Sequence, residues 1–171
     1  AGYLSARFGR KNSLISAAVL FMVSALGSGY SDHFVSFMLF RILGGLGVGM
    51  ASVVSPIYIA EVSPRHMRGK LVALNQLNIV FGILLAQITN FLISRDVPLN
   101  ASDKFILNSW NGQMAWRWMF WAETVPAGIF FIMAFFIPES PRWLVRSGFS
   151  DRALVILKRI GGSTYGSSIA R

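Results

Sequence analysis

Two ionisable residues stand inside long apolar stretches of this sequence, and a row of amides runs along a third stretch. Arg41 follows Val35 by about two helical turns, and Glu123 follows Trp116 by about the same. At roughly 1.5 Å per residue, each would lie about 10 Å below the same membrane surface. A charge at the bilayer centre costs about 2.5–3.5 kcal/mol on insertion scales, which makes both residues functional candidates. Opposite charges at one level invite pairing. The pair could merely neutralise two awkward groups, or Glu123 or another acid could release and recapture Arg41 as it titrates, which is the chemistry of proton coupling. The amide row consists of Gln76, Ile79, Val80, Ile83, Gln87 and Asn90, at offsets 0, 3, 4, 7, 11 and 14, one face of a helix. Amides donate and accept, so they match the hydroxyls of a polyol, while the three aliphatic residues can pack on its apolar faces. The competing use is hydrogen bonding between helices, worth about 0.6–2 kcal/mol per contact in a membrane.

The elements that must carry these groups are membrane spans. The chain is 54% apolar and only 13% charged, against roughly a quarter charged in ordinary soluble domains. Residues 13–30, 35–60, 71–93 and 116–137 are each long enough to cross a hydrocarbon core, which takes about 20 helical residues. They are apolar nearly all round and lack the alternation of strands, so an all-α membrane protein is expected.

Charge orients them. Twelve cations against Glu61, Glu139 and Asp151 fall in residues 7–11, 61–70 and 139–171, and account for the whole net charge of +9. On the other side Arg95, Lys104 and Arg117 balance Asp32, Asp96 and Asp103. The positive-inside rule therefore predicts cytoplasmic termini. The basic excess then needs no nucleic acid as partner. Trp110, Trp116, Trp118 and Trp121 crowd the outer start of the fourth span, and Trp143 lies past its inner end, as interfacial anchors do. Residues 94–115 form a polar connection in which Asn100-Ala101-Ser102 makes a weak glycosylation sequon. The expected organisation is a partial bundle over 1–137, then over 138–171 a cytoplasmic linker whose amphipathic surface helix ends at Gly161-Gly162.

Four motifs combine in order. Gly2-Tyr3-Leu4-Ser5-Ala6-Arg7-Phe8-Gly9-Arg10-Lys11 resembles the loop between the second and third helices of major facilitator transporters. The run from Leu43 through Gly45, Leu46, Gly49, Tyr58 and Glu61 to Arg68 is similar to a sugar-transporter signature. Arg68-Gly69-Lys70 with Asn75-Gln76-Leu77 resembles the start of that family's fifth helix, and Pro138-Glu139-Ser140-Pro141-Arg142-Trp143-Leu144 the motif closing its sixth. The chain is similar throughout to sugar porters of the major facilitator superfamily, especially bacterial sugar–proton symporters, and would hold their third to sixth helices.

That resemblance implies transport of a monosaccharide by alternating access, expected as proton symport, with no covalent chemistry and no enzyme activity. It assigns Gln76, Ile79, Val80 and Ile83 to the sugar pocket; Gln87 is added as a candidate by its place on the same helical face. It also implies that Arg7, Arg10, Glu61, Arg68, Glu139 and Arg142 form a network holding the cytoplasmic side shut, where solvated surface charge is the plainer alternative. Many relatives have an acidic residue where this sequence has Ala6, which would remove one member. Gly45 and Gly49, with Gly44 and Gly47, should let helix backbones approach closely. Alternatives are a facilitated-diffusion uniporter, a transporter for another solute, and a non-transporting sugar sensor. No metal or nucleotide site is expected, no cofactor beyond the proton, and no role for His33 or His66; the absence of cysteine excludes a disulfide scaffold. The chain is expected to be a truncation that does not transport alone, its partners being lipid, the sugar and the missing helices.

Overall fold

The computed structural model describes residues 2–64, 66–98 and 102–161, and among them every regular element is helical. Arg65, the sequon residues Asn100 and Ala101, and the expected helix stop at Gly162 lie outside the described residues. Among the described residues, four helices are long and apolar enough to cross a membrane. They are α2 (Arg10–Tyr30), α3 (Phe34–Val62), α4 (Arg68–Ile93) and α6 (Trp116–Phe136), with short helices α1 (Gly2–Phe8), α5 (Asp103–Asn108), α7 (Pro141–Arg146) and α8 (Ser150–Gly161) around them. A π-helical turn, Asn111–Ala115, leads directly into α6.

The core is α2, and it is made of small residues. Leu14, Ala17, Ala18, Ser24, Ala25 and Ser28 are buried along it at three- and four-residue spacing, the stripe along which a helix meets its neighbours. α3 and α6 both pack against this stripe, and they contribute the buried Val54, Ala127 and Ala134. In lipid there is little hydrophobic gain from such contact, so small side chains that admit close backbones do the work. On α3 the close approach falls at Gly44 and Gly47. A methyl group at Gly44 would strike the Ser24 side chain, and one at Gly47 would crowd Leu20 and the Ala17 carbonyl. Gly45 and Gly49 meet nothing within 4 Å. Of the four glycines expected to admit close backbones, Gly44 and Gly47 do so within this chain, where the α2 contact runs through 40, 44 and 47.

Two segments read as connections are ordered helix. Residues 2–8, taken as loop, continue towards α2 and are broken only at Gly9 (φ 93°). The polar connection 94–115 holds α5, N-capped by the Ser102 hydroxyl, and the π turn. Past α6, Ser140 caps α7 with Pro141 in its first turn, and α8 lays Ala153 against α7. α4 stands apart. None of its residues is buried.

Candidate functional site

The bundle has a basic end, where α2 and α4 begin and α3 and α6 finish, and a tryptophan-rich end opposite. At the basic end Glu139, just past α6, reaches across to the start of α2. Its Oε1 accepts from the backbone N–H of Arg10 (2.8 Å), Lys11 (3.1 Å) and Ser140 (2.9 Å). The first N–H groups of a helix lack intrahelical partners and carry partial positive charge, so a carboxylate is well placed there. Gly9 makes room. A Cβ on it would collide with the Glu139 carboxylate, and its φ lies in the left-handed region that glycine alone enters freely.

Arg10 turns its guanidinium to Glu61, near the end of α3, with Nε to Oε2 at 2.9 Å and Nη2 to Oε1 at 3.0 Å. This is a two-pronged fork. The third prong, Nη1, donates to the Ser5 carbonyl at 3.1 Å, and the Ser140 hydroxyl donates to Glu61 Oε2 at 2.6 Å. Both side chains are largely enclosed, 14% exposed for Arg10 and 7% for Glu61. Further clips join the same segments: the Tyr58 hydroxyl to the Pro138 carbonyl, the Lys11 ammonium to Phe135, and the Trp143 indole to the Ala6 carbonyl. At Ala6 the backbone makes the contact, so this link survives the missing acidic side chain.

Of the six residues expected in a network, the structure joins Arg10, Glu61 and Glu139. Arg7 lies over the ring of its neighbour Phe8, and Arg142 lines a cleft beside Glu61 without pairing to it. Arg68 opens α4 and joins no carboxylate among the described residues. These three stand at the same end of the bundle, and among the described residues none of them forms an ion pair. Sequence reasoning missed Ser140, Tyr58 and Lys11. Ser140 sits inside the Pro-Glu-Ser-Pro motif, and its hydroxyl between two carboxylate-bearing segments was the available signal.

Arg41 and Glu123 do come together. Arg41 Nη1 lies 3.7 Å from Glu123 Oε2, with side-chain exposures of 47% and 55%. That separation is an electrostatic contact, too long for a hydrogen bond. The guanidinium also stacks 5.0 Å over Phe120. The pair borders a cavity of about 520 Å³ between α2, α3 and α6, lined also by Phe21, Ser24, Gly45 and Pro126. Pro126 has no N–H for the carbonyl one turn earlier, which adds an acceptor beside Glu123.

The amide face of α4 is uncovered. Gln76, Ile79, Val80, Ile83 and Gln87 are exposed and Asn90 is half-buried. At 100° per residue, the partly buried positions Leu71, Val72, Asn75, Thr89, Asn90 and Ile93 define the seam towards α3 and α6, centred about a quarter-turn from the amide face. On the seam itself the Ser55 hydroxyl meets Asn75 Oδ1 at 3.3 Å. The bulky Leu77, Phe81, Leu84 and Ile88 occupy the far side. The amides therefore neither serve the packing seam nor share the most apolar side, apart from Asn90 at the edge of the seam.

At the tryptophan-rich end Arg117 bridges from α6 to Asp32 (2.8 Å) and to the Gly29 carbonyl (3.1 Å). Trp110 donates from its indole to the Ile93 carbonyl at 3.1 Å, a specific bond beyond interfacial anchoring.

Comparison with known proteins agrees with this architecture. Residues 1–168 match the family described as Sugar (and other) transporter. The chain is 46% identical over 169 residues to a glucose transport protein of Synechocystis, covering 99% of this chain and 35% of that one. It is 41% identical over 181 residues to a D-xylose–proton symporter of Escherichia coli, covering 95% and 35%. Among solved structures, the xylose transporter XylE of Escherichia coli in a partially occluded inward-open conformation superposes with a TM-score of 0.87 at 40% identity, over 98% of this chain and 40% of that one. This chain thus spans about a third of the length of the curated relatives it matches. With the family matched over residues 1–168 and the helices superposed, the chain belongs to the sugar transporter family of the major facilitator superfamily.

Proposed function

We propose that the full-length protein carrying this chain moves a monosaccharide across a cell membrane by alternating access, coupled to a proton. In this reading α2, α3, α4 and α6 are part of the first half of the transporter, both ends of the chain are cytoplasmic, and the sugar binds near the midplane between two halves that rock around it. The observation that carries the proposal is the α4 face. Gln76, Gln87 and three aliphatic residues are left uncovered on a helix whose seam and bulky side point elsewhere. Relatives described as a glucose transport protein and a D-xylose–proton symporter support a sugar as the solute. Phosphate would call for fixed cations where this face has amides.

Arg41 and Glu123 are the proton-coupling candidates, held close without a saturating bond. Arg10, Glu61 and Glu139 brace the cytoplasmic end of this half. Arg7, Arg68 and Arg142, which have no carboxylate partner among the described residues, would meet groups of the other half when that side closes.

Sugar binding tests the reading directly. Purified full-length protein is titrated with a panel of pentoses and hexoses before and after Gln76→Ala. Losing an amide that bonds a hydroxyl should weaken the preferred sugar at least tenfold, on the order of 1.4 kcal/mol. Unchanged affinity for every sugar would remove Gln76 from the site.

A further inference from the structure

α4 meets α3 and α6 along a partly buried seam, and polar clips tie it to the same neighbours besides. One is the Ser55–Asn75 contact. The others gather at the tryptophan-rich end. There Arg95, two residues past α4, donates its backbone N–H to Asn111 Oδ1 at 2.9 Å, and Asn111 Nδ2 donates to the Arg95 carbonyl at 2.6 Å. One amide side chain thus satisfies both backbone groups of one residue, as a neighbouring strand would. The Trp110 indole bonds the Ile93 carbonyl, one of the last carbonyls of α4, which have no partner within the helix. The Arg95 guanidinium covers Trp110 at 5.0 Å from the ring centroid.

The π turn aims this pair. Its extra residue carries Trp110 and Asn111 about 100° round the axis relative to a continued α-helix. The turn is held by α5. Gln113 Nε2 donates to the Leu107 carbonyl at 2.8 Å, and Gly112 lies so near the Ile106 carbonyl that a Cβ there would collide with it. A five-residue departure from α-helix therefore has local support, and its product is the grip on the end of α4.

We propose that Trp110 and Asn111 are positioning residues that fix the rotation of α4 and with it the direction of the Gln76–Gln87 face. The inference rests on the reading of that face as the sugar-binding wall. Asn90 lies about one turn from the clasp and Gln87 about two, so the far amides are set most directly. A free α4 could turn by one residue, about 100°, bringing Leu84 and Ile88 towards the pathway and Gln87 towards the seam.

The test uses the full-length transporter with single cysteines, Val80→Cys and Gln87→Cys on the amide face and Leu84→Cys and Ile88→Cys on the bulky side, probed with a water-soluble maleimide with and without sugar. With Trp110 and Asn111 intact, sugar should protect positions 80 and 87 and spare 84 and 88. Failure of that pattern would defeat the sugar-wall reading itself. Given that pattern, Asn111→Ala should extend labelling to 84 and 88 and raise KM for transport about fivefold with kcat within about twofold, as loss of about two hydrogen bonds to a positioning element would. Asn111→Asp, which keeps the acceptor and loses the donor, should fall between. Trp110→Phe keeps an aromatic face, though a smaller one, and removes the indole N–H, and should move labelling the same way by a smaller amount. It decides the matter alone if Asn111→Ala does not fold. An unshifted labelling pattern in the folded variants, or a fall in kcat with KM unchanged, overturns the clasp.

Discussion

Among the described residues two arginine–glutamate pairs cross between helices of this bundle, and they are built differently. Arg10–Glu61 is a fork with both prongs at hydrogen-bond distance, largely enclosed and saturated by Ser5 and Ser140. Arg41–Glu123 is a single 3.7 Å approach between half-exposed side chains at the edge of a cavity. The first arrangement leaves few donors or acceptors for anything else, so breaking it strands a charge. The second leaves most of a guanidinium and one carboxylate oxygen unengaged by each other, so either partner can be exchanged at low cost. A brace and a switch need opposite properties, and the same two residue types supply both according to what surrounds them.

Breaking the enclosed pair should give the largest loss of stability. Glu61→Ala removes the acceptor for both Arg10 prongs and for Ser140, leaving a guanidinium in a site only 14% exposed. Removing one partner of such a pair costs about 3 kcal/mol or more. Thermal unfolding of the full-length protein in detergent should show it. A melting temperature unchanged by Glu61→Ala would mean that the fork is ornamental. The next effect sharpens what holds the same end together. Gly9→Ala forces a side chain into φ 93° and against the Glu139 carboxylate. It should cost about 1–2 kcal/mol from the backbone alone. Combined with Glu139→Gln it should cost less than the sum of the two, because the variants share one contact. Strict additivity in the double variant would separate Gly9 from the Glu139 cap.

Much of this contrast was legible in the sequence, and the part that was not has a physical reason. The spans were readable because a bilayer demands long apolar runs, and Arg41 and Glu123 because counting turns from one membrane surface compares depths directly. The amide face of α4 followed from periodicity alone. Membership in the network at the basic end was not readable to the same degree. Motif position brings Arg7, Arg68 and Arg142 to that end of the bundle, but pairing is decided over about 3 Å by rotamers and by neighbours far along the chain, such as Ser140 against Glu61. Which of the four glycines meets α2 was unreadable for a related reason. Periodicity identifies small-residue positions, but the crossing with α2 selects among them, through Gly44 and Gly47. The clasp at Asn111 depends on a π turn, for which residues 111–115 carry no pattern beyond a glycine.

The half-exposed pair should give the smallest change in stability and the sharpest change in behaviour. Exposed or loosely held ion pairs contribute about 0–1 kcal/mol, so Glu123→Gln, which keeps the shape and removes the charge, should leave the melting temperature of the full-length protein nearly unmoved. If the proposal for this pair is right, the variant should still bind sugar and exchange it across a membrane down its gradient, since neither needs a proton to be moved. Accumulation of sugar against its gradient, driven by an imposed pH difference in reconstituted vesicles, should be lost. Arg41→Gln would then fail in the same assay, and the double variant should be no worse than either single one, as expected when two residues act as a unit. Uphill uptake that survives in Glu123→Gln would take Glu123 out of the coupling and leave its contact with Arg41 as charge neutralisation.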